Sequence, residues 1–168
     1  MKDDRLSTGR SLGNLWDLER DELVVRVQIP KKQKTKRGLL SIASSIYNPL
    51  RLITPSIIRA KIIRQDECRR GVGWDERMAK QNKVAWRRWL DELPHLSRVH
   101  VPRCYRPQDA NPVAAVQLHH FCDASQLEYG AVSYLRTTCE DGTHHISFMR
   151  GKAKLDPLKQ QTIPRLEL

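Results

Sequence analysis

The sharpest chemical signal in the chain is Phe121-Cys122-Asp123-Ala124-Ser125, followed closely by Tyr129-Gly130-Ala131-Val132. The first run closes an apolar strand on a carboxylate, and the second opens another strand. A carboxylate at the mouth of a strand is held rigidly on one side and is open on the other. That suits a divalent-cation ligand, because magnesium takes oxygen donors at about 2.0–2.1 Å and bridges them to phosphate. Aspartate is also an ordinary turn residue and serine an ordinary cap, so Asp123 alone reads as readily as part of a turn. A second cluster is cationic: Lys31, Lys32, Lys34, Lys36 and Arg37 put five basic residues into seven positions. They lead into a helix, and cations at a helix start oppose its dipole unless an anion sits among them. Phosphate contact and a solvated linker are the two readings. Cys68, Cys104, Cys122 and Cys139 include no Cys-x-x-Cys pair, so a metal–thiolate site is not expected. Cys122, inside an apolar run, reads as a small core residue.

The charge is unevenly placed. Of 30 Lys and Arg against 19 Asp and Glu in 168 residues, 24 basic and 13 acidic side chains fall in residues 1–112, and six of each in residues 113–168. The whole excess of +11 therefore belongs to the first part, the pattern of a polyanion-binding module joined to a neutral one. With 39% hydrophobic and 29% charged residues the chain can bury an ordinary core, which excludes a disordered acidic tail and a collagen-like repeat. No apolar run approaches the roughly 20 residues that cross a bilayer, and the first thirty residues are charged where a signal peptide is apolar. An intracellular location with reduced thiols and no membrane partner is expected.

The elements that must position these groups follow from periodicity. Leu12 to Asp17 and residues 22–29 read as strands joined by an acidic turn, the second ended by Pro30. Thr35 or a neighbour caps a helix to about Tyr47. Thr54-Pro55 opens a second helix with a capping hydroxyl, and Gly71 closes it. Its apolar side is Ile58, Ile62 and Ile63; Arg59, Lys61, Arg64, Arg69 and Arg70 make the basic one. Asp75 is expected to cap a third helix, in which Trp86, Trp89, Leu90 and Leu93 form a core stripe at i, i+3, i+4 and i+7, with Lys80, Lys83, Arg87 and Arg88 around it. Pro94 ends that helix, and the stretch to Pro112 reads as a connection. Strands at Val116–Cys122, Tyr129–Arg136 and His144–Met149 make an antiparallel meander, and Gln161–Leu168 starts another helix. Stopping in a helix's first turn leaves a sheet face bare, so a piece of a longer protein is expected.

Longer stretches carry a resemblance. Thr35-Lys36-Arg37-Gly38-Leu39-Leu40-Ser41-Ile42-Ala43-Ser44-Ser45-Ile46-Tyr47-Asn48-Pro49-Leu50, then Ala60-Lys61, Gly73-Trp74-Asp75, Trp89-Leu90 and Ile163-Pro164-Arg165-Leu166-Glu167-Leu168, resemble in order the pol polyprotein of BEL/Pao-type LTR retrotransposons. The resemblance implies an α+β architecture. Residues 1–112 would be a helical, basic region like the thumb and connection of reverse transcriptase. Residues 113–168 would be a truncated ribonuclease H-like domain with its first three strands and the start of its first helix. It also implies that Asp123 matches the first metal-binding aspartate and Glu167 the glutamate opening the first helix, with Mg2+ as the family's ion. Two departures stand out: Asn48 where Asp is expected, and Arg51 where Gly is expected, which strains the turn if that position needs positive φ.

A two-ion ribonuclease H-like site needs four carboxylate-type ligands, and this reading supplies Asp123 and Glu167 only, so weak Mg2+ binding and an incomplete catalytic site are expected. The two carboxylates are expected to approach each other. Asp3-Asp4 lacks the aromatic lead of a polymerase turn, and Leu6 stands where Ser7-Thr8-Gly9 would need an aspartate for an aspartic peptidase. The expected activity is weak, sequence-independent binding of RNA, DNA or their hybrid through Lys31, Lys32, Lys34, Lys36, Arg37, Lys61, Arg64, Lys83 and Arg87. The remainder of the pol polyprotein is the other expected partner. Two alternatives are an active nuclease completed by Glu128, Asp141 or a partner chain, and a domesticated nucleic-acid- or protein-binding module indifferent to magnesium.

Overall fold

The computed structural model describes residues 8–11, 14–48, 50–106, 111–158, 162, 163 and 165. Four short strands, β1 (Thr8–Ser11), β2 (Asn14–Asp17), β3 (Glu22–Val24) and β4 (His100–Pro102), pair antiparallel in that order. Between β3 and β4 lie α1 (Lys36–Ser45), α2 (Thr54–Arg69), α3 (Lys80–Glu92) and a 3-10 turn over Leu93–Arg98. Three strands of 12 residues, β5 (Val113–Ala124), β6 (Glu128–Cys139) and β7 (His144–Leu155), then form an antiparallel meander. The architecture is α+β.

The core is the expected stripe and its partners. Trp86 and Trp89 of α3 are each 1% exposed and pack with Leu39 and Ile42 of α1, Ala60 and Ile63 of α2, Met78 and Leu93. Each such side chain contributes about 1.5–3 kcal/mol by leaving water. Trp89 also donates its indole N–H to the Ser56 carbonyl at 2.8 Å, fixing α3 against α2. Thr35 caps α1 by accepting from the Gly38 N–H at 3.1 Å. Gly38 must be glycine: a Cβ there would run into the Gln33 carbonyl oxygen and would lie 3.3 Å from the Trp86 ring.

Several boundaries differ from those read off the sequence. β3 stops at Val24, because β4 offers only three residues to pair with, and residues 25–30 run on without strand pairing. The Thr54 hydroxyl does not cap α2; it donates to the Arg51 carbonyl, and Ile53 holds the cap position with no side-chain bond. Asp75 does not cap α3, which starts five residues later at Lys80, because its carboxylate is taken by Arg37. Pro94 does not stop the chain's winding, which tightens into the 3-10 turn. β5 to β7 are longer than the apolar runs indicated, since ladder pairing continues beyond those runs through polar and small residues such as Thr137, Thr138, Gly151 and Lys152. Cys122 is exposed and not a core residue, because the face of β5 it shares with Val116, Leu118 and His120 is exposed.

The division at residue 112 falls between β4 and β5, and contacts cross it. The Gly151 N–H donates to the Leu50 carbonyl at 3.1 Å, and the Gln65 side chain donates to the Asp156 carbonyl at 2.6 Å. A bulge at Met149, between the pairs Ser133–Arg150 and Tyr134–Phe148, bends β7 just before Gly151.

Candidate functional site

Asp123 pairs with Gly130, and opposite residues of an antiparallel ladder share a face, so it lies on the side that carries Phe121, Val132 and Tyr134. Along that face Phe121, Tyr134 and Phe148 meet edge to face across the three strands, with centroids 6.2 and 5.9 Å apart. Ser125 closes the β5–β6 turn by accepting from the N–H groups of Leu127 and Glu128 at 3.2 and 3.1 Å and donating to the Glu128 carbonyl. The strand end is thus stiff.

Above it opens a cleft of about 590 Å³, whose other wall is the Arg51–Leu52 turn and the start of α2. Asp123 and Glu128 both line it, as do Arg51 and Lys152. Asp123 is exposed and has no hydrogen-bonded partner among the described residues. Among those residues no three His, Cys, Asp or Glu side chains form a metal-capable group. Two carboxylates sharing a cleft with two cations do not fit a tightly held magnesium ion, which needs several fixed oxygen donors. Glu167 lies outside the described residues, and so does its expected approach to Asp123.

The basic residues divide by what they already touch. Lys31, Lys32 and Lys34 are exposed on the unpaired segment before α1, and Arg87 is exposed one turn beyond the half-buried Lys83 of α3. Lys61 and Arg64 are half-buried on α2. Lys36 is 7% exposed, with its ammonium 5.3 Å above the Trp74 ring and 4.0 Å from the Cys68 sulfur. Arg37 forks onto Asp75 at 2.7 and 2.9 Å. That fork holds the Asp75 carboxyl below its ordinary range and raises Arg37 above its own. Two of the five clustered cations are therefore committed within the chain.

Glu67, unremarked in the sequence, organises this region. It is 0% exposed; Oε1 accepts from the Ala79 N–H at 2.9 Å and from the Asn82 amide at 2.7 Å, while Oε2 has no partner among the described residues. The segment joining α2 to α3 is pinned at three further points: Val72 N–H to the Glu67 carbonyl, Arg37 N–H to the Trp74 carbonyl, and Met78 N–H to the Lys34 carbonyl. Arg77 lies on that strap. A helix start placed at Lys80 instead of Asp75 would have been the one sequence signal that sets Arg77 apart.

No curated protein and no solved structure matches the chain. Residues 35–168 match the family described as the Pao retrotransposon-like RNaseH-like domain, and the match runs unbroken through α1 to α3 and the β5–β7 meander. With the matched region taking in the core helices, the meander and the strand-end carboxylate alike, the chain belongs to the Pao retrotransposon-like RNaseH-like domain family and is derived from a retrotransposon pol polyprotein.

Proposed function

We propose that this pol-derived chain binds nucleic acid weakly and without sequence preference, as a region like the thumb and connection of a BEL/Pao reverse transcriptase would, and that it does not by itself cleave an RNA–DNA hybrid. One observation carries the binding: Lys31, Lys32 and Lys34 on an unpaired segment, and Lys83 and Arg87 on one face of α3, have no carboxylate partner among the described residues. Unpaired cations of this kind recruit phosphates by releasing counterions, which gives affinity without reading bases. Lys36 and Arg37, already engaged, add little. The exposed Asp123, with Glu128 and two cations beside it, supports weak magnesium binding at most, and no step of hydrolysis is assigned to it.

Binding to duplex and hybrid across a salt series tests this. Five phosphate contacts give a slope of log affinity against log salt near −4 to −5, at about −0.9 per contact. Affinity that ignores salt would overturn the binding reading. Hydrolysis of the RNA strand that requires magnesium or manganese and is lost in Asp123→Asn would overturn the second part.

A further inference from the structure

We infer that Lys34, Arg77 and Lys83 form a discrete phosphate-binding cleft at the strap between α2 and α3. The inference rests on the nucleic-acid reading above and deepens it by naming the place where a phosphate is held. The cleft has a volume of about 560 Å³ and is lined by Gln33, Lys34, Thr35, Asp75, Arg77 and Lys83. Two of its acceptors are engaged: Asp75 is neutralised by the Arg37 fork, and the Thr35 hydroxyl oxygen already receives the Gly38 N–H. Its cations are not. Among the described residues Lys34, Arg77 and Lys83 have no hydrogen-bonded or ion-paired side-chain partner.

Three like charges around one cavity repel each other, and that repulsion is relieved when an anion enters. The backbone that carries them is pinned. Met78, next to Arg77, is bonded to the Lys34 carbonyl, Ala79 is held by the buried Glu67, and Arg37 N–H holds the Trp74 carbonyl. Thr35 caps α1, Lys83 sits in the first turn of α3, and neither first turn carries an acidic side chain. One guanidinium and two ammonium groups lining the same cavity supply the charge and the donors that a phosphate's oxygens accept. That phosphate comes either from a nucleic-acid backbone or from a free phosphate.

The test titrates the full chain with inorganic phosphate and pyrophosphate, and separately with a labelled oligonucleotide, using Arg77→Ala and Lys83→Ala against Lys154→Ala, an exposed cation on β7, as the control outside the cleft. The cleft predicts pyrophosphate binding lost in Arg77→Ala and Lys83→Ala and kept in Lys154→Ala. It also predicts oligonucleotide affinity about five- to tenfold weaker in Arg77→Ala, with the salt slope shallower by about 1. Competition between pyrophosphate and oligonucleotide identifies the backbone as the source of the phosphate. Pyrophosphate binding at the cleft with no oligonucleotide binding supports the cleft with a free phosphate and overturns the nucleic-acid reading. Salt-dependent oligonucleotide binding indifferent to Arg77→Ala and Lys83→Ala, with no pyrophosphate binding, overturns the cleft and leaves that reading standing. Binding of neither probe overturns both.

Discussion

The carbonyl oxygen of Arg51 lies 3.1 Å from the point where a side-chain carbon on Gly151 would begin. The turn that walls the Asp123 cleft is thereby seated directly on β7, one residue after the Leu50 carbonyl receives the Gly151 N–H. Arg51 has φ +60°, a conformation that glycine reaches freely and arginine at a cost. The turn persists because the Asn48 side chain accepts from the Ile53 N–H at 3.3 Å and the Thr54 hydroxyl donates to the Arg51 carbonyl.

From this, Arg51→Gly is expected to stabilise the chain by about 0.5–1 kcal/mol, the relief of backbone strain exceeding the added freedom of the unfolded chain. Gly151→Ala is expected to destabilise it by about 1–3 kcal/mol, since the atom it would crowd is a backbone carbonyl that cannot swing aside. Denaturant midpoints for the two variants check both signs. An Arg51→Gly variant less stable than the parent would show that the guanidinium makes up the strain elsewhere.

Glu67→Ala is expected to cost about 2–4 kcal/mol, because it strands the Ala79 N–H in a buried site and removes one of the Asn82 amide's two acceptors. Glu67→Gln keeps one carbonyl oxygen as acceptor and is expected to cost far less. Thermal unfolding of these two and of Glu67→Met, which fills the same space without an oxygen acceptor, distinguishes a pin made by hydrogen bonds, for which Met costs clearly more than Gln, from mere filling of space, for which the two cost alike.

How far the sequence carried depends on whether a residue's role is local. Thr35 and Gly38 were legible, one as a cap and the other within the run that carries the family resemblance, and so was the Trp86–Trp89 stripe, because helix periodicity alone puts those side chains on one face. The strand end at Asp123 was legible because an apolar run closes there on the turn residues Asp123-Ala124-Ser125. Asp75 and Thr54 misled, since each has the right chemistry to cap a helix and spends it elsewhere, Asp75 on Arg37 across the fold and Thr54 on the Arg51 carbonyl three residues back. Cys122 misled because an apolar run signals burial only if something covers the face it occupies. Glu67 and Arg77 were illegible: their roles come from a strap folded back against α1, which no spacing along the chain announces.

Acid should act through two carboxyls. Asp21, at φ +52°, is held below its ordinary value of 3.8 chiefly by the Arg103 fork; burial, the next effect in size, opposes it, and bonds from the Cys104 thiol and the Trp16 indole add to the lowering. Asp75 is lowered by Arg37. A carboxyl whose value is lowered on folding contributes stability that is whole above its unfolded value and is lost as pH falls through the folded one. The loss is therefore expected below about pH 4, with none between pH 5 and 7 from these groups. Asp21→Asn keeps a residue suited to positive φ while removing the charge, so its stability deficit at pH 7 should shrink as the pH is taken below 4. A deficit that stays constant with pH would mean that the ion pair contributes nothing to folding.

Asp156 presents the opposite case. It follows β7, is 1% exposed, and neither carboxylate oxygen has a hydrogen-bond partner among the described residues, although its backbone is well held by the Leu127 carbonyl and the Gln65 amide. Burying a carboxyl group without a partner is unfavourable, and none of the described residues returns that cost. Asp156→Ala is expected to raise stability by about 1–2 kcal/mol, the small void left by a carboxyl group subtracting little from the gain. Asp156→Asn keeps the shape and the unmet polarity, so it should fall between the two. Equilibrium unfolding of the three chains gives the order directly. If Asp156→Ala unfolds more readily than the parent, the carboxylate has a partner in solution, and the junction of β7 with α2 depends on it.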